Sequence, residues 1–286
     1  MLGRTAASNQ GRPVRIFAIS VVKNEADIIR QSLLAAAAWA DKIFVYDNGS
    51  TDGTWEIVRD LASQKSGQIV PWKQDGQPFR ESLRGEVYRA FRHLAARGDW
   101  WCFRLDADEF YIDNPREFLP RISRFHQLVE ADVYQFCLTK EDIAECNLGE
   151  ATNAGVDKLS YYQPEVWREF SFFRHRERLD WEAGAAVPRW AGVLSPRRIR
   201  VRHYQYRSLQ QLQMRVQTRR QARAAGFAGW DHAADPDIQH YVSSRAALLK
   251  AAGDGRWPAL KSTNEHRQSR PAYLLKLLLH GLRILP

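Results

Sequence analysis

Over its first 140 residues the chain alternates between two hydrophobic periods. The run from Ile16 to Val22 is apolar throughout except for Ser20, as expected of a strand buried on both faces. Residues 26–39 are rich in Ala and Leu and predict a helix; residues 42–46 predict a second short buried strand. Residues 52–64 predict a helix capped by Asp52 or Ser50, and residues 68–70 a third strand. In residues 81–96, Leu83, Val87, Ala90, Phe91 and Leu94 recur at helical spacing on one face. The aromatic run 100–105 predicts a fourth strand, and 133–138 a fifth. Between them a helix starts at Pro115, with Asn114 as its cap, and runs to 125.

Such alternation carries the chain back across a sheet between strands and so predicts parallel pairing, an α/β fold. Ligands of these sheets collect at the carboxyl ends of the strands. Three polar clusters fall at that edge: Lys23-Asn24-Glu25, the run from Asp47 to Asp52, and Asp106-Ala107-Asp108. Beyond about residue 150 the rhythm breaks. Residues 149–160 read as a loop and 226–236 as an exposed turn region. Strand-like pieces stand at 169–173 and 199–204, and helices are expected at about 208–225, 236–252 and 272–284.

The last acidic cluster carries candidate chemistry. On a strand, Asp106 and Asp108 would share a face, and two like charges that close repel unless a cation lies between them. Hard oxygen ligands suit Mg²⁺ or Mn²⁺. A solvated turn is the plain alternative for so short a motif.

Composition narrows the class. The chain has 286 residues, 44% hydrophobic and 12% aromatic, enough for a substantial core. Cys102, Cys137 and Cys146 show no metal-type spacing and no disulfide framework, which fits a reducing compartment. Residues 1–11 lack the apolar stretch of a signal peptide, and no segment reaches the length of a membrane span. A cytoplasmic location is expected, with any membrane contact peripheral, at the inner face. The net charge of +9 is uneven: residues 1–150 hold 19 Lys+Arg against 22 Asp+Glu, and the remainder 23 against 11. The basic half implies an anionic partner such as nucleotide phosphate or anionic lipid, or simply a soluble basic surface.

The three polar clusters, in order, resemble the signatures of family 2 glycosyltransferases. Residues 21–29 (VVKNEADII) are similar to the family's opening, and 45–54 (VYDNGSTDGT) to its second motif, usually VDDGSTDGT. Asp106-Ala107-Asp108 matches its D-x-D, here as D-x-D-E-F. The resemblance covers about residues 14–140 and implies a GT-A fold: a Rossmann-like, mostly parallel sheet flanked by helices, here with a helical C-terminal tail. It also implies a nucleoside-diphosphate-sugar donor, a hydroxyl acceptor (glycan or lipid-linked), inversion at the sugar carbon, and Mn²⁺ or Mg²⁺. The expected organisation is a tail at 1–13, a donor half at 14–150, an acceptor half of the same domain at 151–226, and a helical region at 227–286.

Site residues follow from the same resemblance. Asn24 and Glu25 lie in the first motif. Asp47 and Asn48 stand where the family has paired acids, and Asp47 is the preferred contact to the base. Asp106 is expected near ribose and metal, Asp108 on the metal, and His203, in the run His203-Tyr204-Gln205-Tyr206-Arg207-Ser208, completing the metal shell. Arg207 would face the diphosphate. Arg84 or Arg89 would reach the nucleotide from the preceding helix, a solvated helix face being the alternative. The base that takes the acceptor proton is sought among Glu182, Asp142 and Glu141, with Glu182 preferred.

Three further expectations concern the rest of the chain. Lys276, His280 and Arg283 share one face of the last predicted helix, which either lies in an anionic membrane interface or docks with its basic face in water. A nucleotidyltransferase is an alternative enzyme, but the Gly- and Lys/Arg-rich loop it needs after the first strand is absent. A non-enzymatic basic module using residues 166–225 is the third reading; no nucleic-acid motif supports it, and nucleic acid is not an expected partner.

Overall fold

The computed structural model describes residues 12–146, 156–224, 226, 235, 237–264, 266, 269–282 and 284–285. Residues 1–11 of the expected N-terminal tail, most of the loops at 149–160 and 226–236, and Arg283 lie outside these residues.

The predicted alternation is present. β1 (Ile16–Val22), α1 (Ile29–Ala37), β2 (Lys42–Asp47), α2 (Thr54–Gln64), β3 (Ile69–Gln74), α3 (Leu83–Phe91) and β4 (Trp100–Cys102) follow one another. β1 pairs in parallel with β2 on one side and β4 on the other, and β2 with β3. Every residue of β1 is buried, as its unbroken apolar run requires for a strand covered on both faces. The register sets Val22 beside Asp47, so the first two polar clusters leave the sheet side by side.

The second part of the sheet is mixed. β5 (Glu109–Tyr111), α4 (Pro115–Phe118), β6 (Leu128–Phe136), α5 (Lys140–Cys146), β7 (Tyr161–Arg174), β8 (Ile199–His203) and α6 (Leu209–Ala224) follow. The strand order is β3-β2-β1-β4-β7-β6-β8-β5. β7 runs antiparallel to β4 and β6, whereas β8 is parallel to β6. One sheet therefore takes strands from both expected halves, and β7 joins them. The short β9 (Leu249–Lys250) and β10 (Lys261–Ser262) both pair with β7, and α7 (Arg270–Gly281) follows.

Three details differ from expectation. The fourth strand stops at Cys102, although Phe103 N still donates to Ser171 O and Leu105 N to Ile19 O. The helix at Pro115, capped by Asn114 as predicted, yields to a 3₁₀ turn at Leu119–Arg121, where Pro120 removes a helical donor. Of the helix expected at 236–252, the described residues 237–252 form no α-helix. Asp237 caps a 3₁₀ turn at Ile238–Tyr241, and Leu249–Lys250 join the sheet through Tyr161 and Tyr162.

Two apolar layers cover the sheet. The one that positions the site holds Phe17, Phe44, Tyr88, Trp101, Phe173 and Trp181 beneath α3. There Gly85 lets Trp181 approach, since a β-carbon at that position would lie 2.9 Å from the indole.

Candidate active site

The ends of β1 and β2 form one laced rim. Asn24, at φ 56, is in the left-handed region that Asn tolerates better than most residues. Its side-chain oxygen accepts from Thr51 N at 2.9 Å, while its own N–H donates to Ser50 Oγ at 2.9 Å. Asp47 is fully buried, and its Oδ1 accepts from Ser50 N at 2.7 Å. Asn48 donates from Nδ2 to Gln77 O at 2.7 Å. Gly49, at φ 75, brings this loop against 75–76, where a β-carbon would lie 3.0 Å from Gly76 Cα. Two acceptors are left over: buried Asp47 Oδ2 and Asn48 Oδ1 have no hydrogen-bond donor among the described residues. Unpaired buried acceptors are expensive, and these two stand at the sheet edge where ligands of α/β folds collect.

The acid pair departs from the strand geometry expected of it. Asp106 to Glu109 form a turn, closed by Glu109 N donating to Asp106 O at 3.1 Å. The two aspartates consequently diverge. Asp106, 27% exposed at its side chain, binds Arg84 Nη2 at 2.6 Å. Asp108, 4% exposed, meets Arg215 Nη1 at 2.9 Å and His203 Nε2 at 3.4 Å. The sheet explains the second meeting: β5 pairs with β8, setting Glu109 opposite His203, and Tyr204 N donates to Asp108 O at 2.8 Å. Burial alone would raise the Asp108 carboxyl, but Arg215, His203 and Arg207 together hold it well below the usual carboxylate range.

Arg207 is where the diphosphate expectation meets a different geometry. Its side chain is fully buried, and it donates from Nε and Nη2 to Asp27 at 2.7 and 2.8 Å, from Nη2 to Glu25 at 2.7 Å, and from Nη1 to Tyr204 O at 3.0 Å. Such a guanidinium has its donors committed, so it braces the acids rather than facing a ligand. The outward cation is Arg215 on α6, which the sequence reading did not single out. Its side chain is 22% exposed, and its contacts to Asp108, Glu25 and Gln205 O all use Nη1. A signal existed: Arg207 and Arg215 are eight apart, two helical turns, across the start of α6.

A second charged group lies beside the first. Arg84 also pairs with Glu81, while Arg104 pairs with Glu81 at 3.2 Å and with Glu169 of β7. Glu169 is 20% exposed at its side chain; burial raises its carboxyl, against the pull of Arg104, and Asp106 and His203 also act on it. Glu109 is buried and raised well above the ordinary range by burial, with Glu169 and Asp106 adding to the shift. Arg89 donates to Trp181 O at 2.6 Å, so of the two arginines on α3 only Arg84 reaches the acids.

The base candidates from sequence do not join this cluster. Asp142 is buried in a reciprocal capping box, accepting from Thr139 N at 3.2 Å and donating from its own N–H to Thr139 Oγ1 at 3.0 Å. Its carboxylate also binds Arg245 at 2.7 Å. Glu141 contacts Ser244 Oγ and Arg245 N, both at 3.4 Å. Glu182 is a surface residue, 56% exposed and 3.4 Å from Arg189. The basic stretch 166–225 is likewise drawn inward in part: Arg168 and Arg198 bind Asp132, and Arg200 binds Asp113. That internal pairing weakens the case for a nucleic-acid surface.

Among the described residues no group of three or more His, Cys, Asp or Glu forms a closed metal cage. Mg²⁺ and cations like it do not need one, since they are held by one or two protein ligands together with substrate phosphates. Asp108 Oδ2 and His203 Nε2, 3.4 Å apart, are close enough to share one ion, and their donor types suit Mn²⁺ or Mg²⁺. The residues fit such a cation.

The sequence model of glycosyl transferase family 2 matches residues 18–195. No curated protein matches the chain. Among solved structures, one that is similar is the mannosyltransferase PcManGT from Pyrobaculum calidifontis in complex with GDP-Man and Mn²⁺; it is 14% identical, with 80% of this chain and 69% of that chain covered and a TM-score of 0.39.

Proposed function

Because the chain belongs to glycosyl transferase family 2 and so uses a nucleotide-sugar donor, we propose that it transfers the sugar, with inversion, from a nucleoside diphosphate to a hydroxyl acceptor at the carboxyl ends of β1 and β2, beside α6. The observation that carries this reading is the orphaned Asp47 Oδ2, buried on the same sheet edge as the Asp108–His203 pair. A base with N–H donors satisfies Asp47 and Asn48. Its diphosphate then reaches toward Asp108, His203 and Arg215.

Asp108 and His203 are the residues that hold Mn²⁺ or Mg²⁺ in this proposal. When bound, the cation neutralises charge on the departing nucleoside diphosphate. Arg215 turns from Asp108 toward the phosphates, where a planar guanidinium pairs well with phosphate oxygens. Arg207 stays in place and keeps Glu25 and Asp27 aligned. Arg84 orients Asp106 toward the ribose side.

Glu169 replaces Glu182 as the proposed proton acceptor. It opens to solvent beside Asp106 and His203, and a raised carboxyl is a better base near neutrality than an ordinary one. The acceptor hydroxyl gives its proton to Glu169 as its oxygen attacks the sugar carbon from the face opposite the leaving diphosphate.

The test is a panel of UDP-, GDP- and TDP-sugars with Mn²⁺ and glycan or lipid-linked acceptors. Release of nucleoside diphosphate with one donor is expected, and Glu169→Gln should lower kcat while leaving donor binding intact. Release of pyrophosphate, and of no nucleoside diphosphate from any donor, would overturn the reading in favour of nucleotidyl transfer.

A further inference from the structure

The last helix is turned the opposite way from a helix that docks through its leucines. α7 begins cleanly: Ser269 accepts from Ala272 N, and a proline stands in the first turn. Leu274, Leu278 and Leu282 repeat every four residues, with Leu275 beside them, and so share one face. They are 63%, 56%, 62% and 55% exposed in that order, and Ile284 is 57% exposed. No residue of α7 is buried.

The contact with the body is made by the other side. Tyr273 Oη lies 2.9 Å from His126 Nε2, and the two rings stack. Tyr273, Lys276 and His280, spaced three and four apart, share that side and are half-buried. The expected docking with a basic face in water is therefore reversed for Lys276 and His280, which turn inward, while Leu274, Leu275, Leu278 and Leu282 face out. Phe125, next in the chain to His126, is also 51% exposed, with the Arg124 guanidinium 4.9 Å from its ring centre. Arg121, Arg124 and Arg270 are exposed as well.

A contiguous leucine face of this kind on a folded protein marks an interaction site. Its charge setting selects the partner. A second copy would bring one +9 chain against another, and residues 151–286 alone carry 23 Lys+Arg against 11 Asp+Glu. Like charge opposes that association, whereas an anionic lipid surface attracts it. An exposed apolar helix face on a basic chain is also the make-up of a helix lying in the plane of a bilayer interface. Among the described residues no helix is long and apolar enough to cross a membrane.

We propose that α7, together with Phe125, seats this chain on an anionic phospholipid bilayer, with the leucine face in the acyl boundary and Arg121, Arg124 and Arg270 at the headgroups. This inference is independent of the donor chemistry. The test is co-sedimentation of the full chain with vesicles of phosphatidylcholine, with and without phosphatidylglycerol. Wild-type protein should sediment with the anionic vesicles and lose that binding as salt rises. Leu275→Glu/Leu278→Glu should bind at least about ten-fold more weakly, and Arg124→Glu about five-fold more weakly. All of these positions are exposed, so circular dichroism and the thermal midpoint should be unchanged. Wild-type protein that ignores anionic vesicles overturns the proposal. So does a wild-type dimer in sedimentation equilibrium without lipid that the leucine variant converts to monomer, since the face would then belong to a second copy.

Discussion

Arg207→Met removes the brace of the acidic cluster, and its effect can be estimated from the geometry. The fully buried guanidinium makes two bonds to Asp27 and one to Glu25, at 2.7 to 2.8 Å, and stands 3.9 Å from Asp108. The carboxylates left behind are only 4–13% exposed at their side chains; Arg215 remains beside Glu25 and Asp108, and His203 beside Asp108. Breaking a buried pair by deleting one partner costs about 3–5 kcal/mol. Unfolding entropy near 2.1 cal/mol/K per residue gives about 0.6 kcal/mol/K for 286 residues. The thermal midpoint should therefore fall by about 5–8 °C. Arg30→Met is the control: its pair with Asp60 is 46% and 49% exposed, so the loss should stay below about 1 kcal/mol. In the double variant Asp27→Asn/Arg207→Met, part of the loss should return, with a coupling energy of about 1–3 kcal/mol by scanning calorimetry. A midpoint for Arg207→Met within about 1 °C of wild type, or single losses that simply add, would refute the bracing role.

Three shorter predictions follow from other parts of the molecule. Arg215→Met should raise the KM for the donor about ten-fold or more, as loss of a charged phosphate contact does, while its thermal midpoint falls less than that of Arg207→Met; steady-state kinetics and calorimetry check both. Gly85→Ala should destabilise by about 1 kcal/mol net, because crowding Trp181 at 2.9 Å outweighs the gain in helix propensity; a raised midpoint would show that the indole can shift. His175, 3.3 Å from Tyr88 Oη, is pushed down to about 4 by burial and by Arg92. A lowered imidazole favours the native state above the unfolded value near 6.5, and that advantage is lost as pH falls toward 4. Urea midpoints of wild type should therefore fall over this window, and those of His175→Gln should fall less.

How much of this was readable before the structure depends on how local each signal is. The β1–β2 rim was legible because buried parallel strands leave unbroken apolar runs, and their polar continuations must lie at one edge. The pairing of Asp108 with His203 came through the family's motif order; register arises from β5 lying beside β8, which no local pattern announces. Glu169 was invisible for the same reason: its partner Arg104 is 65 residues away in the chain. Asp142 sits in a capping box that Thr139, three residues earlier, spells as a local signal. The sequence points to Arg207 alone for the diphosphate because it cannot show which of two nearby cations is enclosed. The stripe on α7 was legible as a stripe, but which side meets the body is decided by the Tyr273–His126 contact.

The central claim is that Asp108 and His203 join a divalent cation to the donor's diphosphate. Calorimetric titration of the productive nucleotide-sugar into wild type and Asp108→Asn, each with and without Mn²⁺, tests it most directly. Mn²⁺ should tighten donor binding by about ten-fold or more in wild type and leave the variant unchanged. Equal tightening in both proteins, or none in either, would contradict the account.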